Sequence, residues 1–176
     1  GSLTAQTYTV KATDAVGCSV TTTLTITQPP LLTWSSVTSI NVLCNGGNTG
    51  SINASATGGT GTITYLLQPG AVTNTTGSFG TLTAQTYTVK ATDANGCSAI
   101  ANGNMAEPAT LSISSVYGSI FCHGETTTLN ISASGGTAPY AGIGTYSVSA
   151  GIQTLTVLDA LGCSASTVVT ITQPNV

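Results

Sequence analysis

The stretch LTAQTYTVKATDA occupies residues 3–15 and recurs letter for letter at residues 82–94. In Thr7-Tyr8-Thr9-Val10-Lys11-Ala12-Thr13 the even positions are apolar or aromatic and the odd ones polar, the period of two that marks a half-buried strand. Each copy runs into a Gly-Cys-Ser tip, Gly17-Cys18-Ser19 in the first and Gly96-Cys97-Ser98 in the second. A third, diverged copy, LTVLDALGCS at residues 155–164, ends on the same tip. Self-similarity on this scale marks an array of small modules, and such arrays reach, space or present.

The same alternation appears in Thr23-Leu24-Thr25-Ile26-Thr27, Ile52-Asn53-Ala54-Ser55-Ala56, Leu129-Asn130-Ile131-Ser132-Ala133 and Thr170-Ile171-Thr172, with the Thr, Val, Ile and Tyr that suit a pleated surface. Helical periodicity is absent. Asn45-Gly46-Gly47-Asn48, Gly58-Gly59-Thr60-Gly61, Gln68-Pro69-Gly70, Asp93-Ala94-Asn95-Gly96 and Gly135-Gly136-Thr137-Ala138-Pro139 are loops by composition. Between them the middle of the chain reads as strands near residues 31–43, 51–57, 62–67, 71–79, 86–92 and 98–105.

The cysteines set the register of the array. From Cys18 to Pro29, Cys97 to Pro108 and Cys163 to Pro174 the step is 11 residues, and these prolines close modules at TQPP, AEPA and TQPN. The expected organisation is the C-terminal part of a truncated repeat at residues 1–28, a complete repeat at 29–107 and a shorter repeat at 108–176. The chain is accordingly expected to start mid-repeat. A lone leading hairpin is marginal in water, so an ordered one is expected to pack against strands of a second copy or an upstream segment.

Five cysteines fit that organisation. Each complete module has an early and a late cysteine, Cys44 with Cys97 and Cys122 with Cys163, and Cys18 is a late cysteine expected to pair with a missing upstream one. Spacing alone leaves open pairing across the linkers, Cys18 with Cys44 and Cys97 with Cys122. Counting every connection as an antiparallel return places Cys44 and Cys97 at one end of the module, which favours a bond within it. About six strands in so short a module bury a core by packing two antiparallel sheets face to face. The predicted fold class is all-β, tandem immunoglobulin-like antiparallel β-sandwich modules. Modules of this size are marginal without a staple.

Composition excludes several functions. Lys and Arg number 2 and Asp and Glu 5, for a net charge of −3, so no basic surface exists for nucleic acid or anionic lipid. With 40% apolar residues the chain is expected to fold, and no apolar run approaches the ~18–20 residues of a membrane span. Cofactors and catalytic residues are not expected. The single His123 sits in a turn beside Cys122, and a nucleophile needs a base within reach. There is no Cys-x-x-Cys for zinc. Asp14, Asp93 and Asp159 hold equivalent places in the tips, where aspartate caps backbone N–H groups; calcium is the sharper alternative, but no second carboxylate clusters with them. Lys11 and Lys90 are expected to face solvent, and Tyr8 and Tyr87 to be core or corner aromatics. Trp34 reads as a plug at a module junction, with an exposed carbohydrate platform as the alternative.

VLCNGGNTGS at residues 42–51, the Gly-Gly-Thr loop after the next strand, TYTVKATDANGCS at residues 86–98 and the ITQP runs ending at Pro29 and Pro174 together resemble the SprB-type repeat. That family occurs in very large surface adhesins of gliding and other Bacteroidota, commonly exported by the type IX secretion system. Cys122-His123-Gly124-Glu125 departs from its Cys-Asn-Gly-Gly turn, and Ala106-Glu107-Pro108 from its TQP. The resemblance implies an extracellular, cell-surface, non-enzymatic role in gliding or surface attachment. The chain is then expected to be a stalk or fibre segment whose partners are neighbouring repeats of the same chain. A glycan- or surface-binding module and a self-assembling extracellular filament subunit are the alternatives.

Overall fold

The computed structural model describes residues 2–175. The chain is all-β, and its strand pairs are antiparallel and fall into three groups. The first is a two-stranded hairpin of β1 (Thr7–Thr13) and β2 (Ser19–Thr25). The second comprises β3 (Thr33–Ile40), β4 (Gly50–Thr57), β5 (Thr64–Gln68), β6 (Val72–Asn74), β7 (Ser78–Leu82), β8 (Gln85–Thr92) and β9 (Ser98–Met105). The third comprises β10 (Ser112–Tyr117), β11 (Thr126–Ser134), β12 (Gly144–Ser149), β13 (Gly151–Leu158) and β14 (Ser164–Ile171).

In the second group the sheet β3-β4-β7 faces the sheet β6-β5-β8-β9. Alternation chooses which side chains meet between them: Tyr87, Val89 and Ala91 point inward from β8, Tyr65 and Leu67 from β5, Ile52 and Ala54 from β4, and Phe79 from β7. Full burial of each large apolar side chain is worth about 1.5–3 kcal/mol, and Leu67 and Val89 are each 1% exposed. The expected β-sandwich is therefore present. Its strand order differs from the constant-type immunoglobulin arrangement, because the fourth strand, β6, lies beside the third rather than the fifth. The third group repeats the plan in reduced form, with sheets β10-β11-β12 and β13-β14 and with Leu129, Leu155, Val157 and Ile171 buried. Its counterpart of β5 shrinks to a single bridge between Ala141 and Leu158, and among the described residues the β5–β6 hairpin has no counterpart.

Chain direction defines two ends of the middle sandwich. Pro30 enters where its carbonyl accepts the Gly59 N–H (2.8 Å), and the 58–60 loop in turn holds the β8–β9 tip through Ala94 N–H to Thr60 O (2.9 Å). The chain leaves at Ala106, whose carbonyl accepts Val42 N–H (3.0 Å), and the Cys44 turn follows directly on Val42. Entry and exit lie at opposite ends.

The expected cysteine pairs require a correction here. The segment 71–79, read as one strand, is two: β6 pairs with β5, and β7 crosses to the other sheet to pair with β4. Asn74 makes the break, its Oδ1 accepting the N–H groups of Thr76 (3.1 Å) and Gly77 (2.7 Å), with Gly77 at φ 71°. That one extra reversal inverts the count, so Cys97 lies at the entry end and Cys44 at the exit end. Neither Cys44 with Cys97 nor Cys122 with Cys163 is bonded. Cys44 is bonded to Cys163, across the boundary between the two sandwiches, while Cys18, Cys97 and Cys122 are free and exposed.

Among the described residues β1 and β2 pair only with each other, and Val10, Val20 and Leu24 are more than half exposed.

Candidate functional site

The chemistry of this chain concentrates where the exit end of the middle sandwich meets the entry end of the last. Two local structures build the joint. One is the tip of the last sandwich, organised by Asp159: its Oδ1 accepts the N–H groups of Leu161 (2.9 Å) and Cys163 (2.9 Å), and its Oδ2 accepts that of Thr137 in the Gly135-Gly136-Thr137 loop (2.9 Å). A Cβ on Gly136 would lie 2.7 Å from Asp159 Oδ2, and Gly136 has a φ of +53°, so the loop needs glycine there. Burial pushes the Asp159 carboxyl up, yet the backbone N–H groups of Thr137, Cys163, Leu161 and Gly162 outweigh it and hold the acid below the ordinary aspartate range. The carboxylate presents Cys163 at the surface of the joint.

The other structure is the Cys44-Asn45-Gly46-Gly47 turn, closed by Gly47 N–H to Cys44 O (2.9 Å). Gly46 N–H donates to Glu107 Oε2 (2.7 Å), while Asn45 Nδ2 donates to Glu107 Oε1 (3.1 Å) and to Pro108 O (3.0 Å). Thr110, already on the far side of the linker, donates its hydroxyl to Asn45 Oδ1 (2.8 Å). One asparagine thus ties the exit turn to the linker on both sides of Pro108, and the disulfide, with a Cα–Cα distance of 5.6 Å, closes the joint covalently. No ionisable pair or nucleophile is assembled here. The arrangement holds two bodies together.

The remaining candidates fall as follows. Asp93 caps its tip as Asp159 does, accepting from Asn95 (3.0 Å), Cys97 (2.8 Å) and Thr60 (2.8 Å); Asp14 makes the first two equivalents, to Val16 (3.0 Å) and Cys18 (2.8 Å). With both Asp93 and Asp159 carboxylates surrounded by backbone donors, their oxygens are committed to the tips rather than turned toward a cation. His123 is an exposed turn residue, and Lys11 and Lys90 face solvent. Tyr87 forms a corner, donating its hydroxyl to Thr83 O (3.3 Å), and Tyr8 does the same with Thr4 O (3.0 Å). Trp34 is neither a junction plug nor an exposed platform: it is half-buried at the edge of the middle core, its ring 6.2 Å from that of Tyr65.

Residues 36–72 match the family model of the SprB repeat. This stretch is similar to the SprB repeat. The match runs from β3 into β6 and contains the Cys44 turn; the Cys97 tip and the last sandwich lie outside it. SprB repeats are found in cell-surface proteins and are structural repeats of adhesins rather than an enzyme family. No curated protein matches the chain. The sequence alone does not single out Asn45 and Glu107 as joint residues, although it carries a signal for the Glu107 position and for the turn glycine. An acceptor oxygen precedes the closing proline in all three copies, at Gln28, Glu107 and Gln173, and a glycine stands two residues after each early cysteine, at Gly46 and Gly124.

Proposed function

We propose that this chain is a spacer segment in the stalk of a secreted cell-surface adhesin, built from repeats at residues 1–28, 29–107 and 108–176 and carrying load between an anchored end and an adhesive region. The observation that carries the reading is the Cys44–Cys163 bond spanning 119 residues. Entry and exit at opposite ends let sandwiches follow one another in line. The asparagine and the disulfide resist bending at Pro108. A bond between 44 and 163 also short-circuits the chain, so that force applied at the two termini bypasses the residues between them. Disulfides persist outside the reducing cytosol, in keeping with a cell-surface location. Gliding and export by the type IX route belong to the same reading through the family. A second reading, a filament subunit, is favoured by the open edges of the exposed β1–β2 hairpin.

Pulling single molecules from their termini tests the load-bearing reading. At about 3.4 Å per extended residue, the oxidised chain should release about 400 Å less contour than the reduced chain. Equal release in both states removes the covalent joint on which the reading rests, and specific binding of the intact chain on a glycan array favours a binding module instead.

A further inference from the structure

We propose that the exposed Cys97 and Cys122 are the two halves of the same joint, so that a further module seated on either end is locked by a disulfide from an early cysteine to the late cysteine of the module that follows. The pairing rule is read from Cys44 and Cys163, the early cysteine of one sandwich and the late cysteine of the next.

Each free half is already folded as its bonded counterpart is. At the Cys97 tip, Asp93 accepts from Cys97 and Thr60 (both 2.8 Å), and Gly59 N–H holds the linker at Pro30 O (2.8 Å). At the Cys163 tip, Asp159 accepts from Cys163 and Thr137 (both 2.9 Å), and Gly136 N–H holds the linker at Ala109 O (2.7 Å). At the Cys122 turn, Glu125 N–H returns to Cys122 O (3.3 Å) and Gly124 N–H donates to Gln173 Oε1 (3.0 Å), as Gly47 does to Cys44 O and Gly46 to Glu107 Oε2.

A second observation points to the occupant. Beside Cys97 lies a cavity of about 300 Å³ lined by Gln28, Pro29, Pro30, Leu31, Gly59 and Asp93. Those linker positions correspond to Glu107, Pro108, Ala109 and Thr110, and at the observed joint the Cys44-Asn45-Gly46 turn hydrogen-bonds to Glu107, Pro108 and Thr110. The cavity is a place for such a turn. Its occupant is the exit end of a module of this type. Closing the bond is an oxidation: two thiols lose two protons and two electrons to a thiol oxidant or a disulfide donor, which is reduced in the exchange. The inference stands on joint geometry and is independent of the adhesin reading.

The test extends the full chain by a second copy of itself, joining Pro174 to residue 30 of that copy so that the Gln-Pro-Pro-Leu linker is reproduced. After oxidation and alkylation, peptide mapping under non-reducing conditions should join Cys122 to the second copy's Cys97, with loss of the Cys122 thiol, alongside Cys44–Cys163 in both copies. A version with Ser at Cys18 and at the first copy's Cys97, which removes thiols that could shuffle, should give the same cross-link. Recovery of Cys44–Cys163 in both copies with Cys122 alkylated, or bonded to any other cysteine, overturns the proposal.

Discussion

The thirteen residues at 3–15 and their identical copy at 82–94 fold alike and are buried very differently. In both, tyrosine turns a corner onto the carbonyl four residues back, a strand follows, and aspartate caps the Gly-Cys-Ser tip through the N–H groups two and four residues on. Yet Val89 is 1% exposed and Val10 53%. Asp93 gains a third donor from Thr60, across a loop that the first hairpin lacks. Local shape thus belongs to the local sequence, while burial and the last hydrogen bond belong to the partner strands. Stability should follow the second, not the first.

The largest expected difference between the copies comes from removing the aromatic ring. Tyr87 sits in the core, and truncating a large buried aromatic to alanine costs about 3–5 kcal/mol. The chain's one tryptophan, Trp34, packs on that core and reports the unfolding of this sandwich alone. Urea unfolding followed by Trp34 fluorescence should therefore lose that amount in Tyr87→Ala and shift by less than about 0.5 kcal/mol in Tyr8→Ala. Equal shifts in the two variants would mean that the hairpin is part of the middle core.

This contrast also shows what the sequence could reveal. Period-two alternation identified the buried positions of β8 because each depends on its own strand, and the tip was legible because Asp, Gly and Cys lie within five residues. The disulfide was not legible, because its register depends on how many times the chain reverses between Cys44 and Cys97. Asn74-Thr75-Thr76-Gly77 hides one reversal inside a run of strand-forming residues; an asparagine three residues before a glycine was the available sign. The Asn45 to Glu107 contact joins residues 62 apart: local sequence marks the Glu107 position, before the closing proline, and the Gly46 turn, but not that the two meet.

A smaller effect should follow from acid. Burial raises the Asp93 carboxyl, but the backbone N–H groups of Thr60, Cys97, Asn95 and Gly96 together bring it below its ordinary value of 3.8. With the folded value depressed, the unfolded chain binds more protons as the pH drops, so the stabilisation is complete above the unfolded value and is lost as the pH falls through the folded one. The Trp34 transition should hold from neutrality to about pH 5 and weaken progressively below about pH 4. Asp93→Asn should be less stable at neutral pH and flatter in acid. A variant with the same acid dependence as the parent would place the responsible carboxyl elsewhere in the middle sandwich.

The smallest difference concerns the corner hydroxyl, and it asks whether the core is needed to make that bond count. Tyr87 donates to Thr83 O and accepts from Gln85 Nε2 (2.7 Å) in a partly buried site, so Tyr87→Phe should cost about 1 kcal/mol on the Trp34 transition. Tyr8 makes the shorter bond to its carbonyl, 3.0 against 3.3 Å, but makes it in solvent. Water competes there for both partners, so the net gain should fall to the low end of the range for hydrogen bonds, about 0.5 kcal/mol. Tyr8→Phe should then lower the amide-exchange protection of β1 and β2 by about twofold, because protection follows the local opening free energy. Unchanged hairpin protection, beside a clear loss in Tyr87→Phe, would make the corner a consequence of the packed sandwich. Comparable losses in both would make it a local device that the repeated thirteen residues carry wherever they stand.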